Sequence, residues 1–141
     1  MAKVFETTRR IRHGHTDPAG IVFYPRYYEL IVETIEDFFA DDLGMRFGEL
    51  HLTRRMGLPT VHIETSFLAP SYCDDELLFS LVVTKLGRSS ATLQITASCD
   101  GERRLTTRQT IAHVQLDDMK AVPFDEDLHN SLAEYLQSDT R

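Results

Sequence analysis

The chain has 141 residues, 42% hydrophobic and 26% charged, which is enough for one domain with a real core and no disulfide or metal support. Its net charge of −7 and pI near 5.3 argue against a binder of nucleic acid or of anionic membranes. The N-terminus lacks the apolar run of a signal peptide, and no segment approaches the ~18 apolar residues of a membrane span, so a cytoplasmic protein is expected. Cys73 and Cys99 have no metal-ligand spacing and read as two inert thiols in a reducing compartment in preference to one disulfide. Arginines cluster at Arg9/Arg10/Arg12, Arg54/Arg55 and Arg103/Arg104/Arg108, as solvated strand ends or as a patch able to meet a phosphorylated ligand.

Val4 to His13 reads as a first strand with one wet face. His13 to Pro25 then breaks the pattern. Asp17 stands between Gly14 and Pro18, with Gly20 following, so it is expected in a turn or extended, because the residue before a proline is pushed out of the helical region. From Pro25 to Leu43, Tyr28, Ile31, Val32, Ile35, Phe38, Phe39 and Leu43 recur with a 3.6-residue period, and Leu30 broadens the apolar side. This predicts a long helix of about 28 Å. Glu29, Glu33, Glu36 and Asp37 form its wet face, Pro25 suits its first turn, and Gly44 is placed to end it. Such a helix needs a sheet wrapped around it.

Met45 to Gly57 reads as a short helix or loop. From Pro59 the period becomes two: Val61, Ile63, Thr65 and Phe67 alternate with Thr60, His62, Glu64 and Ser66 up to Ala69-Pro70. Glu76 to Leu86 is apolar on both faces, a strand covered on both sides, with surface that a second subunit could cover. After the Gly87-Arg88-Ser89-Ser90 turn, Ala91, Leu93, Ile95, Ala97 and Cys99 alternate cleanly, and Asp100-Gly101 is a hairpin turn signal. Arg104 to Leu116 reads as the return strand, with Thr110, Ala112, Val114 and Leu116 on one face. Phe124, Leu128, Leu132 and Leu136 then have helical spacing. The order predicts an α+β domain spanning 1–141, an antiparallel sheet of about five strands around one long helix, in a homo-oligomer.

The stretch upstream of the helix carries the functional signal. Ile21-Val22-Phe23-Tyr24 is too bulky for a solvated loop and suggests a buried approach to the helix. An acid there sits beside unpaired N–H groups and a partial positive charge, a place to hold an oxygen becoming negative. The alternative is a plain turn, with Asp17 a turn former.

The run His15-Thr16-Asp17-Pro18-Ala19-Gly20-Ile21-Val22-Phe23-Tyr24-Pro25-Arg26-Tyr27-Tyr28 resembles the signature of the 4-hydroxybenzoyl-CoA thioesterase family of hotdog-fold proteins. The element order matches it over nearly the whole chain, and Ser66-Phe67, Tyr72 and Asp74-Asp75 resemble its strand-end motif. The resemblance implies a hotdog homodimer, often paired into a homotetramer, with active sites at the subunit interface. It implies hydrolysis of an acyl-CoA thioester without metal or organic cofactor. Asp17 falls on the catalytic carboxylate, nucleophile or general base, and the backbone N–H of Tyr24 on the group that contacts the thioester carbonyl. Arg88 and Ser89 fall near the contacts to the CoA phosphates. His15 stands where many relatives carry an acid. Phe23, Tyr24 and Tyr27 suggest an aromatic or short- to medium-chain acyl pocket, or plain core.

Three other readings compete. His13 and His15, alternating on a strand, with His113, would suit a metal. Ser66, Ser71, Ser89 and Ser90 lack the surroundings of an activated nucleophile. The same fold could also bind acyl-CoA without catalysis, or act on acyl carrier protein.

Overall fold

The computed structural model describes residues 1–139. Five strands form one antiparallel sheet in the order β1-β4-β5-β6-β3: β1 (Phe5–Arg10), β3 (Thr60–Phe67), β4 (Glu76–Leu86), β5 (Ser90–Cys99) and β6 (Glu102–Ala112). β2 (Met56–Gly57) and β7 (Val114–Gln115) pair as a separate short ladder. The sheet curls around α1 (Tyr24–Asp37), and α2 (Glu126–Ala133) packs near β4. Among the described residues, no helix is long and apolar enough to cross a membrane.

The long helix starts one residue earlier than its apolar period predicts and changes character before Leu43. Tyr24–Asp37 is α-helical, and Phe38–Asp42 continues as a wider π turn before Gly44 takes a positive φ of 69°. Tyr27, Leu30, Ile31, Thr34 and Ile35 face the sheet. Val32, one of the apolar positions, is exposed instead. The Met45–Gly57 region holds a second π turn (Glu49–Thr53) and β2, a strand the sequence did not announce. There a Cβ on Gly57 would lie 2.6 Å from Leu116 Cδ2, so glycine lets the short ladder close.

β5 and the hairpin after it match their pattern. Ala91, Leu93, Ile95, Ala97 and Cys99 are all buried, and Asp100 and Gly101 have φ of 51° and 81°, as a tight hairpin turn requires. The return strand is shorter than predicted. It ends at Ala112, where the His113 N–H donates to Ser89 O, and Val114–Gln115 leaves to pair with β2. Its buried face is Leu105, Thr107, Gln109 and Ile111, opposite the β5 core residues, and Thr110 and Ala112 lie on the other face. Thr107 and Gln109 tolerate burial because the Thr107 hydroxyl donates to Glu64 O and the Gln109 amide to Thr60 Oγ1.

β3 closes one edge of the sheet. Val61, Ile63 and Phe67 remain 61%, 39% and 46% exposed, and Phe67 is covered in part by Tyr24, Tyr27 and Tyr28 of α1. On β4 the apolar residues are buried except for Leu78, which is exposed, and Leu86, which is half-buried. Cys73 is exposed, Cys99 buried, and both are free.

Candidate active site

The segment before α1 is a small hairpin built by its breakers. The Asp17 N–H donates to Ile21 O (3.0 Å) and the Gly20 N–H to Asp17 O (2.9 Å), with Gly20 at φ 84°. Thr16 and Val22 form an antiparallel bridge, and the Phe23 N–H donates to His15 O (2.9 Å). Asp17 is thereby tied to the entrance of α1. Its Oδ1 accepts the Ala19 N–H (2.9 Å), an arrangement typical of aspartate in turns, and among the described residues Oδ2 has no partner. Asp17 is thus a turn former whose side chain also stands at the entrance of α1.

Phe23 is extended (φ −69°, ψ 121°), and its carbonyl accepts the Arg26 N–H (2.8 Å). Tyr24 is the first helical residue, and Pro25 contributes no donor. Among the described residues no acceptor meets the Tyr24 N–H, so the helix opens on a free amide carrying the positive end of its dipole. A cavity of ≈ 290 Å³ lies beside this start, walled by Ile21, Val22, Tyr24, Tyr27 and the Phe67–Pro70 segment. Phe67 is its aromatic hub, with ring centroids 6.0 Å from Tyr24, 5.8 Å from Tyr27 and 6.4 Å from Tyr28. Larger clefts of ≈ 440 and ≈ 640 Å³ lie past the other end of α1, one against the start of α2 and one against Glu36, Asp37 and Asp41, and neither is lined by Asp17, Tyr24 or Phe67.

A buried polar cluster stands behind the cavity, and the sequence did not single it out. Arg104, on β6, reaches Asp75 Oδ2 (2.7 Å), Pro70 O (3.0 Å) and Ser71 Oγ (3.1 Å) through Nη1. Its Nε lies 2.7 Å from Glu102 Oε1 as a charge contact rather than an aligned hydrogen bond. The Arg104 guanidinium, helped by the Tyr72 N–H, holds the Asp75 carboxyl below its ordinary pKa, and Asp75 in turn raises that of Arg104. Burial raises the Tyr27 phenol, with hydrogen bonding to Ser71 opposing it. In the sequence, Arg104 looked like one more arginine at a strand end. Nothing local marks it as buried, and of its partners only Asp75 falls in the strand-end motif that the resemblance picks out.

Arg88 and Ser89 are elsewhere in the chain. β4 pairs with Arg10 at Glu76 and with Ala91 at Leu86, so their turn lies about 30 Å along the strand from the Asp17 end of the sheet. Their carbonyls accept the Phe124 and His113 amides. A single chain does not bring them to Asp17 and Tyr24. The histidines do not converge either. His13–His15 is a 3₁₀ turn rather than a strand, His15 Nδ1 accepts the Arg12 N–H (2.9 Å), and His113 is buried with its Nδ1 on Val122 O. Among the described residues no three His, Cys, Asp or Glu side chains are placed to hold a metal.

Comparison with known proteins agrees with this architecture. Residues 11–132 match the thioesterase-like superfamily. A 1,4-dihydroxy-2-naphthoyl-CoA hydrolase from Acaryochloris marina is 31% identical over 109 residues, covering 76% of this chain and 78% of that protein. The structure of a gentisyl-coenzyme A thioesterase is 25% identical with a TM-score of 0.79, over 89% of this chain and 98% of that one. A Staphylococcus aureus protein solved in complex with CoA shares the fold at 15% identity and a TM-score of 0.89, over 100% of this chain and 90% of that one. A sheet wrapped on one long helix, a family match over most of the chain and thioesterase relatives of nearly its own length lead to one assignment: the chain belongs to the thioesterase-like superfamily and is a thioester hydrolase on the hotdog fold.

Proposed function

We propose that this chain hydrolyses an acyl-CoA thioester with an aromatic or short- to medium-length acyl group, Asp17 being the catalytic carboxylate and the Tyr24 N–H the oxyanion donor. The observation that carries the reading is the hairpin tying an acid with one free oxygen to a helix that opens on an unpartnered amide, beside an aromatic-walled cavity. A thioester carbonyl needs a donor where its oxygen becomes negative, and a preorganised amide at a helix start supplies one without reorganisation. Asp17 then acts in one of two ways. As a base it takes a proton from water as the water oxygen bonds to the carbonyl carbon. Collapse breaks the C–S bond, and the proton passes to the departing CoA thiolate. As a nucleophile it bonds to the carbonyl carbon itself and expels the thiolate, and water then cleaves the anhydride. The Phe67 cluster and the aryl-CoA substrates for which the relatives are named favour an aromatic acyl group over an aliphatic one.

Purified protein is offered a panel of aryl- and alkyl-CoAs and the free thiol is followed. Asp17→Asn should lower kcat about 10²- to 10⁴-fold with little change in melting temperature. Equal thiol release by wild type and Asp17→Asn removes Asp17 from the chemistry. No release with any acyl-CoA leaves a non-catalytic CoA-binding protein, and faster release from acyl carrier protein at matched acyl group transfers the reading to that carrier.

The working unit is a homodimer, or a tetramer built from dimers, acting in the cytoplasm, where two free thiols persist. The bare edge of β3 and its exposed Val61, Ile63 and Phe67 support this, since a monomer would leave an open apolar sheet edge. Arg88 and Ser89 would then contact the CoA phosphates of a site formed with another subunit. Sedimentation of a monomer at micromolar concentration would overturn the assembly.

A further inference from the structure

We propose that Arg104 is the positioning residue of this site, fastening the loop that sets where the Tyr24 amide stands relative to Asp17. The inference rests on the Asp17/Tyr24 reading above and adds a residue that touches neither.

Arg104 is 9% exposed, and its contacts lead to three segments around the site, two of which wall the cavity. One is the cavity wall: Nη1 donates to Pro70 O, while the Leu68 and Ala69 amides donate to Arg104 O (2.8 and 3.3 Å). Another is the entrance of α1. Nη1 also donates to Ser71 Oγ, and Ser71 O accepts the Val22 N–H (2.9 Å), two residues before Tyr24. Last is the strand end that leads into the Asp17 hairpin. Nη1 pairs with Asp75, Asp75 O accepts the Ile11 N–H (2.8 Å), and Ile11 O accepts the Asp74 N–H (2.7 Å). Strand end and helix entrance are the two anchors of the hairpin carrying Asp17, and both are held to one cation. Because the ion pair keeps Asp75 ionised, the brace stays closed through the neutral range.

A hydrophobic side chain of similar length would fill the volume and lose the convergence. The acid and the amide would then keep their own local geometry, set by the Asp17 turn and by the helix, and lose their mutual placement. Misplacement of that kind lowers the rate of the chemical step, and an error of about 1 Å can cost about 10²-fold. Binding of the CoA portion, outside the brace, would be spared.

Arg104→Met, Arg104→Lys and Ser71→Ala are compared with wild type on the best aryl-CoA of the panel, with Asp17→Asn in parallel and folding monitored by circular dichroism and thermal melting. For Arg104→Met, kcat should fall about 10- to 100-fold with KM changed less than about twofold. Arg104→Lys, which keeps a charged donor beside Asp75, should recover most of the loss. Ser71→Ala, which removes one link and keeps the cation, should give a smaller kcat loss in the same direction. The proposal is overturned if folded Arg104→Met keeps wild-type kcat, if KM rises in place of the kcat loss, or if Lys rescues no better than Met. If Arg104→Met does not fold, Ser71→Ala decides, and an unchanged kcat there overturns it. Asp17→Asn separates the two readings. If it hydrolyses like wild type, the parent assignment fails whatever Arg104 does. If it is inactive and Arg104→Met is normal, only the positioning role fails.

Discussion

The two ends of α1 are built from the same kinds of side chain and put them to opposite uses. At the C-terminal end, Phe38 packs against Phe5, Phe39 and Tyr135 with ring centroids 5.6, 5.7 and 4.9 Å away. The carbonyls there are taken up: Phe38 O accepts the Leu43 N–H and Phe39 O the Met45 N–H, while the Tyr135 hydroxyl donates to Asp42 Oδ2 at 2.6 Å. At the N-terminal end, Tyr24 and Phe67 remain about half exposed, the first amide lacks an acceptor among the described residues, and the polar fastening lies behind the cavity. Aromatic burial without openings makes a stable terminus. Aromatic walls with one open donor make the terminus that the proposed site uses. Satisfied hydrogen bonds, rather than residue type, separate the two.

The largest test of this contrast is Phe38→Ala. Removing a fully buried ring from the closed end should cost about 3–5 kcal/mol in unfolding free energy, read by denaturant titration. Activity per folded molecule should be unchanged. A large loss of kcat in the folded fraction would mean that the two ends are coupled and the comparison false. Asp17→Asn should be the mirror image, lowering kcat about 10²- to 10⁴-fold with the fold intact.

A smaller test is Tyr135→Phe, which should cost about 1 kcal/mol for the lost hydrogen bond. It carries a pH signature. Burial, reinforced by Asp42, raises the Tyr135 phenol above its ordinary value of 10.0. The folded state therefore favours the protonated form, and this part of the stability is full below pH 10 and is lost as pH climbs above it. Melting temperature against pH should fall in the wild type above pH 10 and less steeply in Tyr135→Phe. Parallel curves would show that the Tyr135–Asp42 contact contributes nothing specific.

The same contrast explains what was legible in the residues. Local signals worked wherever the cause was local. The Pro and Gly breakers around Asp17, the 3.6 period of α1, the clean alternation of β5 and the Asp100-Gly101 turn each act within a few residues. They failed where burial was decided by distant partners. The core face of β6 carries no apolar alternation to read, because its inward positions hold Thr107 and Gln109, which are satisfied by β3 across the sheet. β2 was missed because two residues carry no period, and it exists only because Gly57 admits Leu116.

The amino-acid sequence by itself determined the element order, the turn that holds Asp17 and the helix that opens just after it, because backbone preferences and apolar periodicity are properties of neighbours in the chain. Only the tertiary structure decided that Arg104, Ser71 and Asp75 converge behind that helix start, that Arg88 and Ser89 lie at the far end of the sheet, and that β3 keeps a bare apolar edge. Those outcomes depend on which strands become neighbours. Strand pairing across 30 or more residues is set by the packing of the whole sheet on α1, which no short stretch of residues encodes.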